Sequence, residues 1–266
     1  MNQPSYTVLP FSPERRVIAD GGRIAARRHT VYGLIEVDVT TPRALLRAHK
    51  ARTGETISFT AFALACLGKA IDENKRVHAY RDWRNRLLVF DQVDINTIME
   101  IQVDGRQMTL PHFVRAANQR GVRAIHDELR AAQAAPRQTR EFGLRWFARL
   151  PQFARDFFYW YAYGHPTLLK QTFCTVGLTA LGMFGKGGWA IPFGVHTLDV
   201  ALGGITEKPS CVAGRVEPRE YLCLTLCFDH DVMDGAPAAR FAARFQELLA
   251  RGDGLTPEAL SSTTLA

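Results

Sequence analysis

Apolar side chains occupy every second position of residues 221–228, near the C-terminal end of the sequence. An alternation of period two predicts a β-strand whose two faces meet different surroundings. One face carries Leu222, Leu224, Leu226 and Phe228, and the other carries Tyr221, Cys223, Thr225 and Cys227. Gly235 and Pro237 then open a segment with Phe241, Phe245, Leu248 and Leu249 at helical spacing. This pattern predicts a strand, a tight turn and a helix.

Strands and helices are predicted in alternation along most of the chain. Ser12 and Pro13 predict a helix start, and Gly21 and Gly22 predict an interruption of that helix. Strands are predicted over 31–40, 87–90, 94–103, 174–180, 198–205 and 220–228, and helices over 41–52, 58–71 and 118–133. Strands interleaved with helices favour an α/β sandwich, in which helices cover a mixed sheet.

Residues 137–170 depart from this alternation, because large apolar residues recur there at intervals of three and four. Phe142, Trp146, Leu150, Phe153, Phe157, Trp160 and Tyr161 form one apolar face, which Pro151 interrupts, and arginine dominates the charge. A basic amphipathic helix pair is typical of a protein that lies on an acidic membrane surface. We favour instead a helical insertion packed on its own subunit or on a neighbour, because core packing is the usual use of an apolar helix face.

Composition limits the class of protein. Of the 266 residues, 47% are hydrophobic and 22% are charged, as in an ordinary globular protein. The net charge of +7 is compatible with a pocket for an anionic phosphorylated cofactor, and no compact run of Lys and Arg favours nucleic acid. The five cysteines show no C-x-x-C spacing, which predicts neither disulfides nor a zinc site. The N-terminus shows no secretory signal and no stretch has the roughly 18 apolar residues of a membrane span, so we expect a cytoplasmic protein.

A histidine, His230, stands among polar residues where the predicted strand turns into the predicted helix. A turn of this kind leaves a side chain accessible while a rigid scaffold holds it in place. A histidine beside Asp229 and Asp231 is nevertheless more often structural than catalytic, and the pattern H-x-x-x-D-G alone is a weak signal. A metal site on these three residues is conceivable, but no second His or Cys pair joins them in sequence, so we predict no metal.

The sequence around this histidine resembles the catalytic motif of an enzyme family. Residues 228–241 read F-D-H-D-V-M-D-G-A-P-A-A-R-F. The acyltransferase components of 2-oxo acid dehydrogenase complexes read F-D-H-R-V-x-D-G-A-x-A-A-R-F, and chloramphenicol acetyltransferases share the shorter H-H-x-x-x-D-G. Residues 175–185, T-V-G-L-T-A-L-G-M-F-G, resemble the family's T-F-T-I-S-N-L-G-M-F-G. Weaker similarity extends the resemblance over most of residues 15–135 and 174–252.

The resemblance implies a chloramphenicol-acetyltransferase-like fold that assembles as a homotrimer or a higher multiple of trimers. It implies one catalytic domain over residues 1–266, with a helical insertion at about 137–170 and without a lipoyl or subunit-binding domain. Coenzyme A, as acyl-CoA, is the implied substrate. If the chain uses a lipoyl group, we expect another protein to carry it.

The resemblance also implies roles for individual residues. His230 would be the general base, since a neutral imidazole accepts a proton well at physiological pH. Thr179 stands where the family has the serine of T-I-S-N-L-G and would donate a hydrogen bond to the oxyanion. Asp234 would hold the loop by pairing with a cation, and His112 and Gly182 would contact the coenzyme. In the related trimers the pocket lies between subunits. We therefore expect that the His230 and Thr179 of one pocket can belong to different chains.

Three functions remain open at this point. The first is acyl transfer between coenzyme A and a thiol acceptor such as dihydrolipoamide. The second is O- or N-acylation of a small molecule, because Asp231 replaces the arginine usual in the dehydrogenase enzymes and leaves the acceptor undecided. The third is a non-catalytic trimeric scaffold or membrane-associated protein, with residues 137–170 as its contact surface.

Overall fold

The computed structural model of the chain describes residues 6–103, 106–134, 146–182 and 185–261. Strands run over Thr30–Asp38 (β1), Tyr80–Arg81 (β2), Leu87–Leu88 (β3), Ile95–Val103 (β4), Arg106–Val114 (β5), Val176–Ala180 (β6), Leu198–Val212 (β7) and Arg215–Asp229 (β8). Helices run over Pro13–Ala25 (α1), Thr40–Thr53 (α2), Phe59–Glu73 (α3), Val122–Ala134 (α4), Gln152–Gly164 (α5), Pro166–Phe173 (α6), Gly235–Arg251 (α7) and Pro257–Ser261 (α8). Residues 146–149 are also helical.

The large sheet has the strand order β1-β8-β7-β6-β4-β5. Strand β6 is parallel to β4 and β7, and the other neighbours in this sheet are antiparallel. Strands β2 and β3 pair with each other in a separate small hairpin. The mixed sheet with its helices confirms the predicted α/β sandwich.

The two faces of the large sheet have different surroundings. The face that carries Leu178, Val200 and Leu226 packs against α3, α4 and α7 to form the main core, which confirms the predicted apolar face of β8. Burial of this apolar surface supplies most of the stabilisation of such a two-layer fold. On the opposite face, the side chains of Leu34 and Ile98 are exposed. That open face becomes important for the candidate site.

Strands β7 and β8 are longer than predicted, because they continue beyond the sheet as a two-stranded ribbon. Residues 206–212 pair there with residues 215–221, and Pro209 lies opposite Pro218. Proline weakens a strand prediction, yet it is tolerated where the ribbon has no further neighbour to receive its N–H. The predicted strand over 87–90 is present as the shorter β3, which pairs with β2 and does not join the large sheet.

Helix α1 continues through Gly21 and Gly22, where an interruption was predicted. The hydroxyl of Ser12 accepts a hydrogen bond from the backbone N–H of Arg15 at 3.3 Å, as the capping signal predicts. Each glycine disfavours a helix by only about 1 kcal/mol, and tertiary contacts of the same helix can offset that amount.

The insertion corresponds, within the described residues, to the helical turn at 146–149 and to α5 and α6. The predicted apolar position Phe142 and the basic positions Arg137, Arg140 and Arg145 lie outside the described residues. The ring of Phe147 packs edge-on against Phe158 and Tyr159, with centroid distances of 5.1 and 5.5 Å. Ala162 and Leu169 form a satellite core with Tyr80. One side of the insertion therefore packs on its own subunit, and no helix of the described residues is long and apolar enough to cross a membrane.

A buried ion pair joins the insertion to α1. The Nε of Arg155 donates to Asp20 Oδ2 at 2.6 Å and its second terminal nitrogen donates to Asp20 Oδ1 at 3.1 Å. Both side chains are almost fully buried. Asp20 also pairs with the partly exposed Arg23, so removal of Arg155 takes away the buried, two-pronged partner of this carboxylate and leaves only the more exposed one.

We expect Arg155→Met to lower the free energy of unfolding by about 3 kcal/mol, because the Asp20 carboxylate is left buried without its main partner. The measurement is chemical denaturation followed by circular dichroism. The matched double variant Asp20→Leu/Arg155→Met is expected to recover a large part of the loss. A double variant less stable than Arg155→Met alone would contradict this assignment.

A second buried polar group makes stability depend on pH. The Nε2 of His78 donates to the carbonyl oxygen of Phe90 at 3.1 Å, and its Nδ1 lies 2.9 Å from Thr175 Oγ1. Burial disfavours the imidazolium and lowers the pKa of His78 from 6.5 to about 4. As the pH falls through 6.5, the unfolded chain takes up a proton that the folded chain does not bind until about pH 4.

The stability contribution of His78 is therefore full above pH 6.5 and is lost between pH 6.5 and pH 4, in total on the order of 3 kcal/mol. We expect His78→Gln, which keeps one donor and one acceptor, to flatten the pH dependence of the unfolding free energy in this window. His165→Gln, at the start of α6, is the control for a partly exposed histidine. Equal slopes for wild type and His78→Gln would refute the assignment.

Candidate active site

His230 lies in the turn that joins the end of β8 to α7, and its side chain is exposed. The backbone N–H groups of Val232 and Met233 both donate to the carbonyl oxygen of Asp229 at 3.0 Å, which closes the turn. The backbone N–H of His230 donates to the carbonyl oxygen of His29 at 2.9 Å. The turn therefore rests on the segment just before β1, and the imidazole projects from it.

Arg28 is the main side-chain support of this turn. Its guanidinium donates to Asp229 Oδ2 at 2.6 Å and to the carbonyl oxygen of His196 at 3.2 Å. It also lies over the ring of Tyr163 in α5, 5.2 Å from the centroid, and the Tyr163 hydroxyl donates to the carbonyl oxygen of Val195 at 3.0 Å. A largely buried cation is satisfied here by a carboxylate, a carbonyl and an aromatic face.

The Asp231 carboxylate is engaged by His29 and Arg81. Its Oδ1 lies 2.9 Å from His29 Nδ1 and its Oδ2 lies 3.7 Å from Arg81. The hydrogen bond from His29 holds the pKa of the Asp231 carboxyl below its usual value. The Asp229 carboxylate is thus engaged by Arg28, and the Asp231 carboxylate by His29 and Arg81.

A cleft of about 460 Å³ opens beside the turn. The turn contributes Asp229, Asp231 and Val232, while α1, α5 and the β2–β3 hairpin form the other walls. Trp83 and Trp160 face it from the hairpin and the insertion. The insertion therefore forms a wall of the cleft beside the turn as well as packing on the subunit, and the lining residues of that cleft do not include His230 itself.

Beneath the turn, a buried pair fixes the starts of β6 and β7. The Nδ1 of His196 lies 2.7 Å from Asp199 Oδ1, and its Nε2 lies 2.9 Å from the carbonyl oxygen of Phe173. A Cβ at Gly177 would lie 2.0 Å from the same Asp199 oxygen, so only glycine leaves room for this pair. The end of α6 is thereby tied to the sheet directly below Arg28 and its partners.

Thr179 is not close to His230 within one chain. The register aligns Phe228 with Leu198 and Leu198 with Val176, so His230 lies near the start of β6, while Thr179 lies near its end. Two strand spacings across and about five residues along amount to roughly 19 Å. Thr179 faces the open side of the sheet, because it shares its face with Leu34 and Ile98. Any site that contains both residues must be built from two copies of the chain.

The two predicted coenzyme contacts lie elsewhere. His112 is aligned with Thr97 and Leu178, which places it on the helix-covered face, opposite to Thr179. Its Nε2 lies 2.7 Å from Glu128 Oε1 of α4. Gly182 follows β6 and packs so closely that an added Cβ would lie 2.6 Å from the carbonyl oxygen of Gly203. Both contacts stay predictions, and the described surroundings of each residue give it a packing role.

Asp234 occupies the N-cap position of α7, four residues after His230, and its side chain makes no capping hydrogen bond there. Its side chain is exposed, and no ion pair among the described residues includes it. The predicted cation partner is therefore absent from the described part of one chain, where Arg28 pairs with Asp229 instead. The predicted role of Asp234 in holding the loop stays a prediction.

Sequence reasoning missed several groups that the fold brings near these residues. Arg28 and Tyr163 carry no motif, and only the turn's contacts reveal them. Asn96 and Thr225 lie on the same face as Thr179 and each has a buried oxygen without a hydrogen-bond partner. The alternation of residues in β4 and β8 assigns them to that face, but the sequence does not show that the face stays open.

One group of possible metal ligands lies far from the turn in sequence. Glu55, His126 and Asp127 have ligand atoms within 4.8 Å of one another. Arg123 already engages both carboxylates, at 2.6 Å to Glu55 and 3.0 Å to Asp127, and His126 Nδ1 accepts the backbone N–H of Ser58. This trio is thus a charge-paired cluster at the start of α3 and α4.

Comparison with known proteins confirms the resemblance seen in the sequence. Residues 171–256 match the family model of the 2-oxoacid dehydrogenases acyltransferase (catalytic domain). The dihydrolipoyllysine-residue acetyltransferase component of the pyruvate dehydrogenase complex of Mycoplasma capricolum is 21% identical over 224 residues. That alignment covers 82% of this chain and 44% of the Mycoplasma protein, so the chain spans less than half the length of that relative.

Solved structures confirm the predicted fold. The dihydrolipoamide acetyltransferase of Azotobacter vinelandii superposes with a TM-score of 0.71 over 94% of both chains, at 19% identity. A probable dihydrolipoamide acetyltransferase from Listeria monocytogenes gives a TM-score of 0.69 over 98% of both chains, at 16% identity. The Azotobacter structure was studied for the catalytic roles of a serine, a histidine 52 residues later and an asparagine 4 residues after the histidine.

We expect Arg28→Met to loosen the turn, because Asp229 would stay buried without its cation. Hydrogen exchange should show faster exchange of the His230 amide, whose acceptor is the carbonyl of the neighbouring His29. Arg28→Lys keeps the charge but loses the planar fork and the ring contact, so its effect should be intermediate. An unchanged exchange rate in Arg28→Met would contradict the supporting role of this residue.

Proposed function

We propose that this chain is a coenzyme-A-dependent acyltransferase that moves an acyl group between coenzyme A and a thiol acceptor such as dihydrolipoamide. The observation that carries the proposal is the exposed imidazole of His230 on a braced turn, within the segment 171–256 that matches the acyltransferase family model. The residue spacing supports it further. Thr179 lies 51 residues before His230 and Asp234 lies 4 residues after it, close to the spacing of the three residues studied in the Azotobacter enzyme.

His230 is the proposed general base. The acceptor thiol loses its proton to the imidazole as its sulfur attacks the carbonyl carbon of acyl-CoA, and the proton then passes to the departing coenzyme A thiolate. The Arg28–Asp229 pair and the engagement of Asp231 by His29 keep both neighbouring carboxylates away from this task. The turn thus presents one accessible proton acceptor.

Thr179 is the proposed oxyanion donor. The tetrahedral intermediate carries its negative charge on the former carbonyl oxygen, and a hydroxyl aimed at that oxygen stabilises it. Because the two residues lie roughly 19 Å apart in one chain, we propose a homotrimer in which His230 of one subunit meets Thr179 of the next. The open sheet face with Thr179, Leu34 and Ile98 is the surface that a neighbouring subunit would cover.

We propose that a single catalytic domain, to which the insertion adds a wall next to His230, carries this activity. The lipoyl group would be presented by a partner protein, and His112 and Gly182 are retained as proposed coenzyme contacts. The proposed setting is the cytoplasm, as the cysteine spacing in the sequence predicts.

Transfer of acetyl from acetyl-CoA to dihydrolipoamide tests the activity, followed by release of free coenzyme A. We expect His230→Ala to lower kcat by about a hundredfold or more and Thr179→Val to lower it by about a hundredfold. A parallel panel of alcohols and amines detects the alternative O- or N-acyl transfer. Turnover of dihydrolipoamide that persists unchanged in His230→Ala would refute the mechanism.

A mixing experiment tests the shared site. When His230→Ala and Thr179→Val chains are co-expressed and trimers containing both are isolated, a site between subunits is intact wherever a Thr179→Val chain meets a His230→Ala chain. Each isolated mixed trimer then has one intact site of three and should recover about a third of the wild-type activity. Mixed trimers as inactive as either variant alone would place both residues in one chain's site and contradict the proposed assembly.

A further inference from the structure

Helix α5 carries aromatic side chains on two opposite faces. Phe158 and Tyr159 point inward and pack against Phe147. Phe153, Phe157 and Trp160, at positions i, i+4 and i+7, point outward and are 76%, 65% and 72% exposed. A helix that is apolar on both faces is normally buried on both. The exposed outward face is therefore typical of a surface that contacts another molecule or a membrane.

The outward face continues beyond the end of the helix. The backbone N–H of Trp83 donates to the carbonyl oxygen of Gly164, the last residue of α5, at 3.3 Å, and the Trp83 side chain is 65% exposed. Phe153, Phe157, Trp160 and Trp83 therefore form a row, here called the outer aromatic row. Its helical part, from Phe153 to Trp160, is about 10 Å long at roughly 1.5 Å per residue. Phe153 and Phe157 lie outside the cleft beside the turn, whereas Trp160 and Trp83 also line it.

Arginines without carboxylate partners flank this row. The guanidinium of Arg84 lies over the Trp83 ring, 4.5 Å from its centroid. Arg27 lines the cleft beside Trp83 and Trp160. Arg149 precedes the helix by one turn. All three are exposed and take part in no ion pair among the described residues.

The acidic groups nearby are already neutralised. Asp156 is the single carboxylate in the sequence of α5, and it pairs with Arg23 at 3.4 Å. The other carboxylates that line the adjoining cleft are also paired, so among the described residues the unpaired charges beside the outer aromatic row are those of arginines. Aromatic rings with flanking arginines match the interface of an anionic bilayer, where rings enter the headgroup region and guanidinium groups meet phosphates.

We propose that the outer aromatic row docks this protein on the surface of an anionic phospholipid membrane. A bilayer accepts projecting rings without a complementary pocket, whereas a protein partner would need one. The unpaired arginines supply the charge complementarity that a neutral or cationic surface would lack. This docking places the cleft beside His230 close to the membrane, since Trp160 and Trp83 belong to both surfaces.

Vesicle flotation of the full chain tests the proposal. We expect the protein to float with phosphatidylcholine/phosphatidylglycerol vesicles and to stay behind with pure phosphatidylcholine. Phe153→Ser/Phe157→Ser should weaken the binding by about tenfold or more, since two of the four rings of the row are removed. Arg84→Gln and Arg149→Gln should each weaken it by about fivefold, and added salt should act in the same direction.

Val216→Ser, at an equally exposed apolar position on the β7–β8 ribbon, is the matched control and should float like the wild type. Circular dichroism must show an unchanged melting temperature for each variant compared. Equal binding to neutral and anionic vesicles, or binding unaffected by Phe153→Ser/Phe157→Ser, would overturn the proposal. The proposal is also overturned if the wild type does not float and Phe153→Ser/Phe157→Ser differs from it in particle mass by light scattering. That result would assign the row to a contact between copies of the chain.

Discussion

The position of His230 depends on one charged contact, the pair of Arg28 with Asp229. Four parts of the chain meet at this guanidinium: the segment before β1, the end of β8, the start of β7 and, through Tyr163, the insertion. A buried arginine is tolerated only where acceptors surround it. Those acceptors come from segments that are distant in the chain. The pair therefore fixes the position of the turn only when each of these segments has folded.

Within one chain, the two residues that are predicted to carry out the chemistry lie apart. The base lies at one end of the parallel strands and the hydroxyl of Thr179 at the other end, on the face that the helices do not cover. A sheet covered on one face only is ordinary for a mixed sheet in a two-layer fold, but an open face with Leu34 and Ile98 exposed is typical of a surface used for association. The proposed trimer explains both the divided residues and the open face.

The insertion combines two functions of an apolar helix. Its inner aromatics build a satellite core, its buried Arg155 anchors it to Asp20 of α1, and Tyr163 supports Arg28. Its outer aromatics make no such contacts with the described residues. The sequence pattern favoured packing over membrane contact, and the packing is present on one face, yet a period of 3.6 cannot distinguish a helix covered on one side from a helix apolar on both.

Several features were determined by the sequence alone. The alternation in residues 221–228, the helix start at Ser12 and the helical spacing after Gly235 each follow from local geometry, since side-chain direction repeats every 2.0 or 3.6 residues. The motif around His230 located the proposed base for the same reason, because strand, turn and helix are contiguous in the chain. The ribbon extension of β7 and β8 was missed because Pro209 and Pro218 argue locally against strands.

Only the tertiary structure determined which side chains from distant parts of the sequence are in contact. Arg28 and Asp229 are 201 residues apart in the chain, and no local pattern indicates that they pair. The same holds for His112, which the resemblance assigned to the coenzyme and the fold places beside Glu128, and for Thr179, which lies away from His230 because of strand order and register. Contacts between distant segments depend on how the whole core packs, and short-range periodicity does not contain that information.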